Sequence, residues 1–242
     1  MTISRAIYVH AFLPGASQPV PVGKLAIAQD GRYASGTFFY GRRYAARAEA
    51  YALDPAVLPL VPGVDYHQPP RDIEQGGGLF LVFQDALPDG WGRRVIAAGH
   101  RGHIPDDVSL LLEANDARTG ALVFSESQQW IAEEEPVERA SLEELADAAH
   151  ALELGLDAPL RLKRLLRKAS SLGGARPKTQ IERDGKLWLA KFQSASDDYD
   201  YATLEAATTE LARRCGIQVP HVKLEPIGKD KVLLLERFDR PV

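Results

Sequence analysis

The stretch that decides the fold runs from residue 170 to residue 179 and reads Ser170-Ser171-Leu172-Gly173-Gly174-Ala175-Arg176-Pro177-Lys178-Thr179. Its residues are small and basic, and loops of this kind can wrap phosphate groups with main-chain N–H groups. It is not a Walker A loop, because that motif needs glycines where this chain has Leu172 and Pro177. The stretch predicts a phosphate-binding loop leading into a strand, and its neighbours along the chain support this prediction.

The residues that follow the loop predict a hairpin, a helix and a second hairpin. The turn signals Asp184-Gly185 and Gly228-Lys229-Asp230 each separate two β-rich runs. Between the hairpins, small and apolar residues recur at helical spacing, and Gly216 is suited to end that helix. The predicted elements are strands 178–181 and 186–192, a helix 201–215, and strands 222–226 and 231–238.

Two charged residues in this region favour one particular chemistry. Lys191 ends the apolar strand 187–192, and Glu205 lies fourteen residues later on the following helix. Taken singly, each has a plain alternative: a lysine that keeps an edge strand soluble, and a glutamate on a helix surface. Taken together, a strand lysine and a glutamate of the next helix are the pair with which protein kinases hold the α- and β-phosphates of ATP.

The residues before the loop predict a β-rich segment followed by helices. Residues 3–60 are typical of a β-meander, with Asp30-Gly31 as a hairpin turn, and residues 62–80 of an irregular connector. Helices are predicted after the N-cap candidate Asp89, from 105–107, after the Ser141/Glu144 capping box, and over 159–168. We therefore predict an α+β chain with a β-rich N-terminal subdomain and helical connector over 1–155, and a kinase-like N-lobe over 156–242.

Composition narrows the class of protein further. The 242 residues are 45% hydrophobic and 26% charged, and the net charge of −4 gives no global attraction to DNA or membranes. The single cysteine, Cys215, excludes an internal disulfide and the usual zinc clusters, and we expect it to fill the core at a helix end. Without an apolar run that could span a bilayer, the expected location is the cytoplasm.

The chain resembles HipA, the serine/threonine kinase toxin of bacterial HipBA toxin–antitoxin modules. The resemblance covers nearly the whole sequence and is most specific around 171–178 and 233–240. The matching stretches are Phe83-Gln-Asp-Ala-Leu-Pro-Asp-Gly90, Asp116-Ala-Arg-Thr-Gly120-Ala-Leu122, Ser171 to Thr179, Leu-Ala-Lys191-Phe, Leu204-Glu205 to Pro220, and Leu-Glu236-Arg-Phe238-Asp-Arg240.

The resemblance implies a role for each matching position. Ser171 corresponds to the serine that HipA kinases autophosphorylate, within a loop whose Gly174, Ala175 and Lys178 face ATP. Lys191 corresponds to the nucleotide-binding lysine and Glu205 to a glutamate of the next helix, while Glu236 and Phe238 correspond to the hinge that holds adenine. The cofactors implied are ATP and Mg²⁺. The partners implied are a helix-turn-helix antitoxin of the HipB type, DNA only through that antitoxin, and a protein substrate such as glutamyl-tRNA synthetase.

The resemblance also leaves an alternative open. HipA kinases carry a larger helical lobe after the hinge, with the catalytic-loop and metal-binding residues, and the sequence ends at Val242. We therefore expect no catalytic or metal-binding residue, no kinase activity and weak nucleotide affinity for this polypeptide alone. The alternative is a non-catalytic interaction protein, or one part of a split kinase, that binds an antitoxin or a separate C-lobe. The basic residues of 159–181 suit phosphate attraction or DNA held by an antitoxin.

Overall fold

The computed structural model describes residues 3–114, 118–131 and 140–239. Asp116, Ala117 and Arg240 of the stretches quoted above lie outside these ranges. In chain order the elements are β1 (Ile3–Ala11), β2 (Val20–Asp30), β3 (Tyr33–Tyr40), α1 (Arg42–Ala45), β4 (Asp65–Asp72), α2 (Leu81–Gln84), α3 (Gly90–Gly99), α4 (Asp107–Glu113), β5 (Leu122–Ser125), α5 (Leu142–Glu153), α6 (Leu160–Arg167), β6 (Lys178–Arg183), β7 (Lys186–Lys191), α7 (Tyr201–Arg214), β8 (Val222–Ile227) and β9 (Asp230–Glu236). The chain is α+β with antiparallel sheets, as the sequence predicts.

The described residues form two compact units that alternate along the chain. The first unit holds 3–87, 106–114 and 120–131, and the second holds 88–105, 118–119 and 140–239. Helices α3 and α5 belong to the second unit because both pack against α6. The single domain boundary near residue 155 stays a prediction, and the compact units do not follow it.

The first unit is built on a five-stranded antiparallel sheet in the order β4-β3-β2-β1-β5. The predicted turn at Gly31 joins β2 to β3 with a positive φ of 59°. The prediction of an irregular connector over 62–80 is wrong for Asp65–Asp72, which forms β4. Pro69 and Pro70 are compatible with this strand because it lies at the edge of the sheet. An edge strand has a neighbour on one side only, so it can hold prolines, which lack the N–H that a central strand needs.

The three glycines of residues 76–78 include one that packs against the backbone of β3. A Cβ atom on Gly36 of β3 would overlap the carbonyl oxygen of Gly78. Gly78 itself has a positive φ of 79°, a conformation that residues with a side chain rarely adopt. The segment therefore packs directly on the backbone of β3.

The second unit carries a four-stranded antiparallel sheet in the order β6-β7-β9-β8, with α7 between the two hairpins. One face of the sheet joins α3, α5 and α6 in a core that includes Trp91, Leu166, Trp188 and Leu234. The predicted hairpin–helix–hairpin order and the Ser141 capping box are confirmed. The prediction for Cys215 is wrong, because α7 ends there in solvent and the thiol is exposed.

No helix within the described ranges combines the length and the apolar character that a membrane span requires.

Candidate functional site

A cavity of about 610 Å³ lies in the second unit. The predicted loop forms one wall, the strands β7 and β9 form another, and the segment after β9 closes one side. Its lining residues are Thr119, Leu172, Gly173, Gly174, Ala175, Arg176, Lys178, Leu189, Lys191, Pro220, Leu235, Glu236, Arg237, Phe238 and Asp239.

The alternation of side chains along β7 separates this cavity from the core. Trp188 and Ala190 point into the core, so Leu189 and Lys191 point to the opposite face, where they line the cavity. Lys191 pairs with Lys178 of β6 in the register of the sheet. Two lysines therefore stand side by side at one end of a cavity whose floor is otherwise apolar.

Lys191 forms an ion pair with Glu205 of α7. The Nζ atom lies 2.5 Å from Oε1 of the carboxylate, and the two side chains are 26% and 39% exposed. Because Lys191 closes β7 and Glu205 lies early in α7, the short connection between strand and helix brings them together. The structure thus unites the two residues that the sequence singled out, and it fixes the lysine's amine at the cavity.

Lys178 has a different environment. Its side chain is only 4% exposed, and Nζ donates hydrogen bonds to the carbonyl oxygens of Leu172 at 3.3 Å and Gly173 at 2.5 Å. Burial lowers the pKa of this amine from 10.5 to about 8, while the negative charge of Asp89 acts in the opposite direction. Lys178 therefore shapes the loop from within as well as placing a positive charge at the cavity.

Gly174 and Ala175 both line the cavity, in a loop that Asp89 and the first turn of α3 hold in place. Gly174 has a positive φ of 97°, and its N–H donates to Oδ2 of Asp89 at 2.6 Å. The indole Nε1 of Trp91 donates to the carbonyl of Lys178 at 2.8 Å. Sequence reasoning placed Asp89 only as a helix cap and missed Trp91, because nothing in the sequence links residues 85 positions apart.

Ser171 is half-buried and immediately precedes Leu172, the first cavity residue of the loop. Its neighbour Ser170 is 1% exposed. The serine that the sequence singled out thus lies at the base of the loop rather than among the lining residues.

The segment assigned to the hinge starts at Glu236, the last residue of β9, and its role as a hinge stays a prediction. The carboxylate of Glu236 is ion-paired with Lys186 at 2.7 Å, and this hydrogen bond is the main cause of the lowered pKa of Glu236. The main-chain amides of Glu236 and Arg237 donate to the carbonyls of His221 and Leu187. Glu236 and Phe238 both line the cavity, and Phe238 is 82% exposed.

Arg237 and Arg176 are cavity residues that the site prediction omitted. Arg237 is buried and donates to Oε1 of Gln180 at 2.6 Å and to Oδ2 of Asp239 at 2.5 Å. Arg176 binds Asp197 through two hydrogen bonds of 2.6 and 2.7 Å and stacks over the ring of Tyr201. Both guanidinium groups are engaged by carboxylates, so they order the walls of the cavity.

Two residues of the basic run 159–181 are held by carboxylates. Arg161 and Lys163 of the basic run are ion-paired with Glu144 and Asp157. Over the described ranges, no three histidine, cysteine, aspartate or glutamate side chains gather closely enough to hold a metal ion.

Two family models match the chain. The HipA N-terminal domain matches residues 17–125, and the HipA-like C-terminal domain matches residues 170–242. The chain belongs to the HipA family. The second match begins at the loop that lines the cavity, and it includes Lys178, Lys191 and Glu205. No curated protein sequence matches the chain.

Solved structures support the HipA fold. One similar chain belongs to the complex of HipA, HipB and operator DNA from the Shewanella oneidensis MR-1 toxin–antitoxin system. The TM-score is 0.57 at 16% sequence identity, and the match covers 96% of the present chain. The present chain spans 51% of the length of that relative, so the likeness concerns the fold of this portion.

Proposed function

We propose that this chain is the N-terminal and ATP-facing part of a HipA-like serine/threonine protein kinase in a toxin–antitoxin module. The observation that carries the proposal is the Lys191–Glu205 ion pair at the end of the cavity. Protein kinases use such a pair to fix the lysine that contacts the α- and β-phosphates of ATP. On this proposal, the sheet β6-β7-β9-β8 with α7 is a kinase-like N-lobe.

The cavity fits ATP in both its chemistry and its size. A volume of about 610 Å³ lies within the range of small-molecule sites. Leu189 and Leu235 offer apolar surface for the adenine ring, and the residues after β9 border the same space. Lys178 and Lys191 would face the phosphates, where their charges oppose the negative charge of the nucleotide. Mg²⁺ would bind mainly through the phosphate oxygens of ATP.

Each site residue then has a task. Glu205 holds Lys191 in its binding geometry, and Lys178 keeps the loop curved around the phosphates. Ser171 is proposed as the autophosphorylated residue that regulates the kinase. A phosphate there adds about −2 charge beside the place that ATP phosphates occupy, so it would block nucleotide binding.

The proposed partners follow from the family and its structural relative. HipB occurs with HipA in the Shewanella complex, which supports a HipB-type antitoxin as partner here and DNA contact through that antitoxin. A protein substrate, such as an aminoacyl-tRNA synthetase, would be phosphorylated by the complete kinase. Phosphoryl transfer is therefore proposed for the complete kinase, for which this chain supplies the ATP-facing part.

The proposal is tested by titrating ATP into the wild-type chain and into Lys191→Ala. We expect weak binding by the wild type and roughly tenfold weaker binding by the variant, because a charge-assisted contact to phosphate is lost. Lys231→Ala is the matched control, since Lys231 is also a strand lysine paired with an α7-region carboxylate, Asp200 at 2.8 Å, but does not line the cavity. Equal and negligible binding by the wild type and Lys191→Ala would contradict the proposal and favour the non-catalytic interaction protein.

A further inference from the structure

The residue before α3 carries a carboxylate that does not cap its own helix. Asp89 occupies the N-cap position, where an aspartate normally accepts a hydrogen bond from an N–H in the first turn. Its side chain makes no such bond. Instead, Oδ2 accepts the N–H of Gly174 at 2.6 Å. A carboxylate that accepts a main-chain N–H forms one of the stronger classes of hydrogen bond in proteins.

The same short segment holds the other polar atom of Gly174. The main-chain N–H of Trp91 donates to the carbonyl oxygen of Gly174 at 3.2 Å. Neither Asp89 nor Trp91 lines the cavity, whereas Gly174 does. Both main-chain polar groups of Gly174 are therefore bound by residues outside the cavity lining, and the loop is fixed from behind.

Close packing makes the attachment specific. A Cβ atom on Gly90 would lie 3.0 Å from Cα of Ala175, and one on Gly92 would overlap the carbonyl oxygen of Ser170. The two glycines allow the start of α3 to lie directly against the loop at both of its ends. Asp89, between Pro88 and Gly90, is thereby placed against the turn of the loop at Gly174.

We propose that Asp89 is a positioning residue for nucleotide binding, which holds the 170–178 loop in the shape that receives the phosphates of ATP. This role rests on the proposed ATP site. The hydrogen bond from Gly174 fixes the turn at positive φ, and that turn directs the carbonyls of Leu172 and Gly173 toward Nζ of Lys178. Without the carboxylate, the turn loses its anchor, and Lys178 loses the fixed carbonyls that orient its charge.

The test compares ATP and adenosine binding in the wild-type chain, Asp89→Ala and Asp89→Asn. Because the loop serves the phosphates, we expect Asp89→Ala to weaken ATP binding about tenfold, with a much smaller effect on adenosine. Asn keeps an acceptor oxygen at the same place, so Asp89→Asn should recover most of the affinity for ATP. A general loss of structure would weaken ATP and adenosine equally and would overturn the proposed role.

Hydrogen–deuterium exchange of the nucleotide-free chain supplies a readout independent of ATP. The amide of Gly174 should exchange about tenfold faster in Asp89→Ala, while the amides of α7 keep their rates. Asp106→Ala is the matched control, because Asp106 accepts the N–H of Ser109 as a true cap of α4. That variant should leave both the loop exchange and the ratio of ATP to adenosine affinity unchanged.

The outcomes separate the two proposals. Unchanged ATP affinity and unchanged loop exchange in Asp89→Ala, with a wild type that binds ATP, would overturn the role of Asp89 alone. A wild-type chain without ATP binding would overturn the proposed function, and with it the nucleotide-positioning role of Asp89, whatever the exchange rates show.

Discussion

The carbonyl oxygen of Gly173 accepts a hydrogen bond from Nζ of Lys178 at 2.5 Å, so the loop wraps around a lysine that starts the next strand. A cation enclosed by main-chain carbonyls is satisfied as a donor, yet it is still removed from water. Burial accordingly lowers its pKa to about 8. The loop and the charge of this lysine are thus coupled.

The first prediction concerns the pH dependence of stability that Lys178 causes. The folded chain releases this proton near pH 8, whereas the unfolded chain keeps it to about pH 10.5. Between these values the unfolded state binds more protons, so the contribution of Lys178 to stability rises with pH. We expect the wild type to gain up to about 3 kcal/mol relative to Lys178→Met over this range, since one pKa unit corresponds to about 1.4 kcal/mol.

Urea unfolding of both proteins across that pH range measures the gain. Lys229→Met, in the exposed turn between β8 and β9, controls for removing one positive charge from the chain. A constant difference between wild type and Lys178→Met at every pH would show that the buried amine does not titrate as described.

The second prediction concerns the contact between α3 and the loop. Gly92→Ala places a methyl group on the carbonyl oxygen of Ser170, so one backbone must move. We expect the free energy of unfolding to fall by about 1–3 kcal/mol, the usual cost of overpacking. Thermal or urea denaturation measures the change.

Gly99→Ala is the control within the same helix, because a Cβ atom there meets no atom within 4 Å. Alanine is the better helix former, so this variant should be as stable as the wild type or more stable by up to about 1 kcal/mol. Equal destabilisation by both substitutions would refute the packing argument and leave only a general sensitivity of α3.

The third prediction concerns the proposed regulatory serine. Ser171→Asp places a negative charge at the base of the loop, and we expect it to weaken ATP binding at least about tenfold through repulsion of the phosphates. Ser171→Ala should bind within about threefold of the wild type, because it adds no charge. Titration with ATP, followed by fluorescence or calorimetry, measures the ATP affinity of the wild type, Ser171→Asp and Ser171→Ala.

Ser196→Asp introduces the same charge in an exposed loop that does not line the cavity. It should bind ATP as the wild type does. If Ser171→Asp bound ATP normally, the proposal that this serine regulates nucleotide binding would be wrong.

The local features of the fold were predictable from the sequence. Alternating apolar residues, Asp-Gly turns and a serine–glutamate capping box act over a few neighbours, and each produced the expected hairpin or helix. The contact between Lys191 and Glu205 was also predictable, because one short connection joins their strand and helix. The roles of these residues toward ATP stay predictions.

Features that depend on packing between distant residues could not be predicted from the sequence. The pair Asp89 and Gly174 is separated by 85 positions, and no pattern in either segment refers to the other. The edge strand β4 contains two prolines, which argue against a strand until its place in the sheet is known. Cys215 was expected to fill the core because it lies at the end of a predicted helix, whereas that helix ends in solvent.

The alternation of the two units along the chain has a consequence for synthesis. Helix α3 leaves the ribosome well before α6 and β7, although Trp91 and Val95 share a core with Leu166 and Trp188. Until those partners are made, the apolar side of α3 lacks the core that covers it in the folded chain. A fragment starting at residue 135 would lack Trp91 and Val95, so its core would be incomplete and we expect it to be less stable than the same residues in the whole chain.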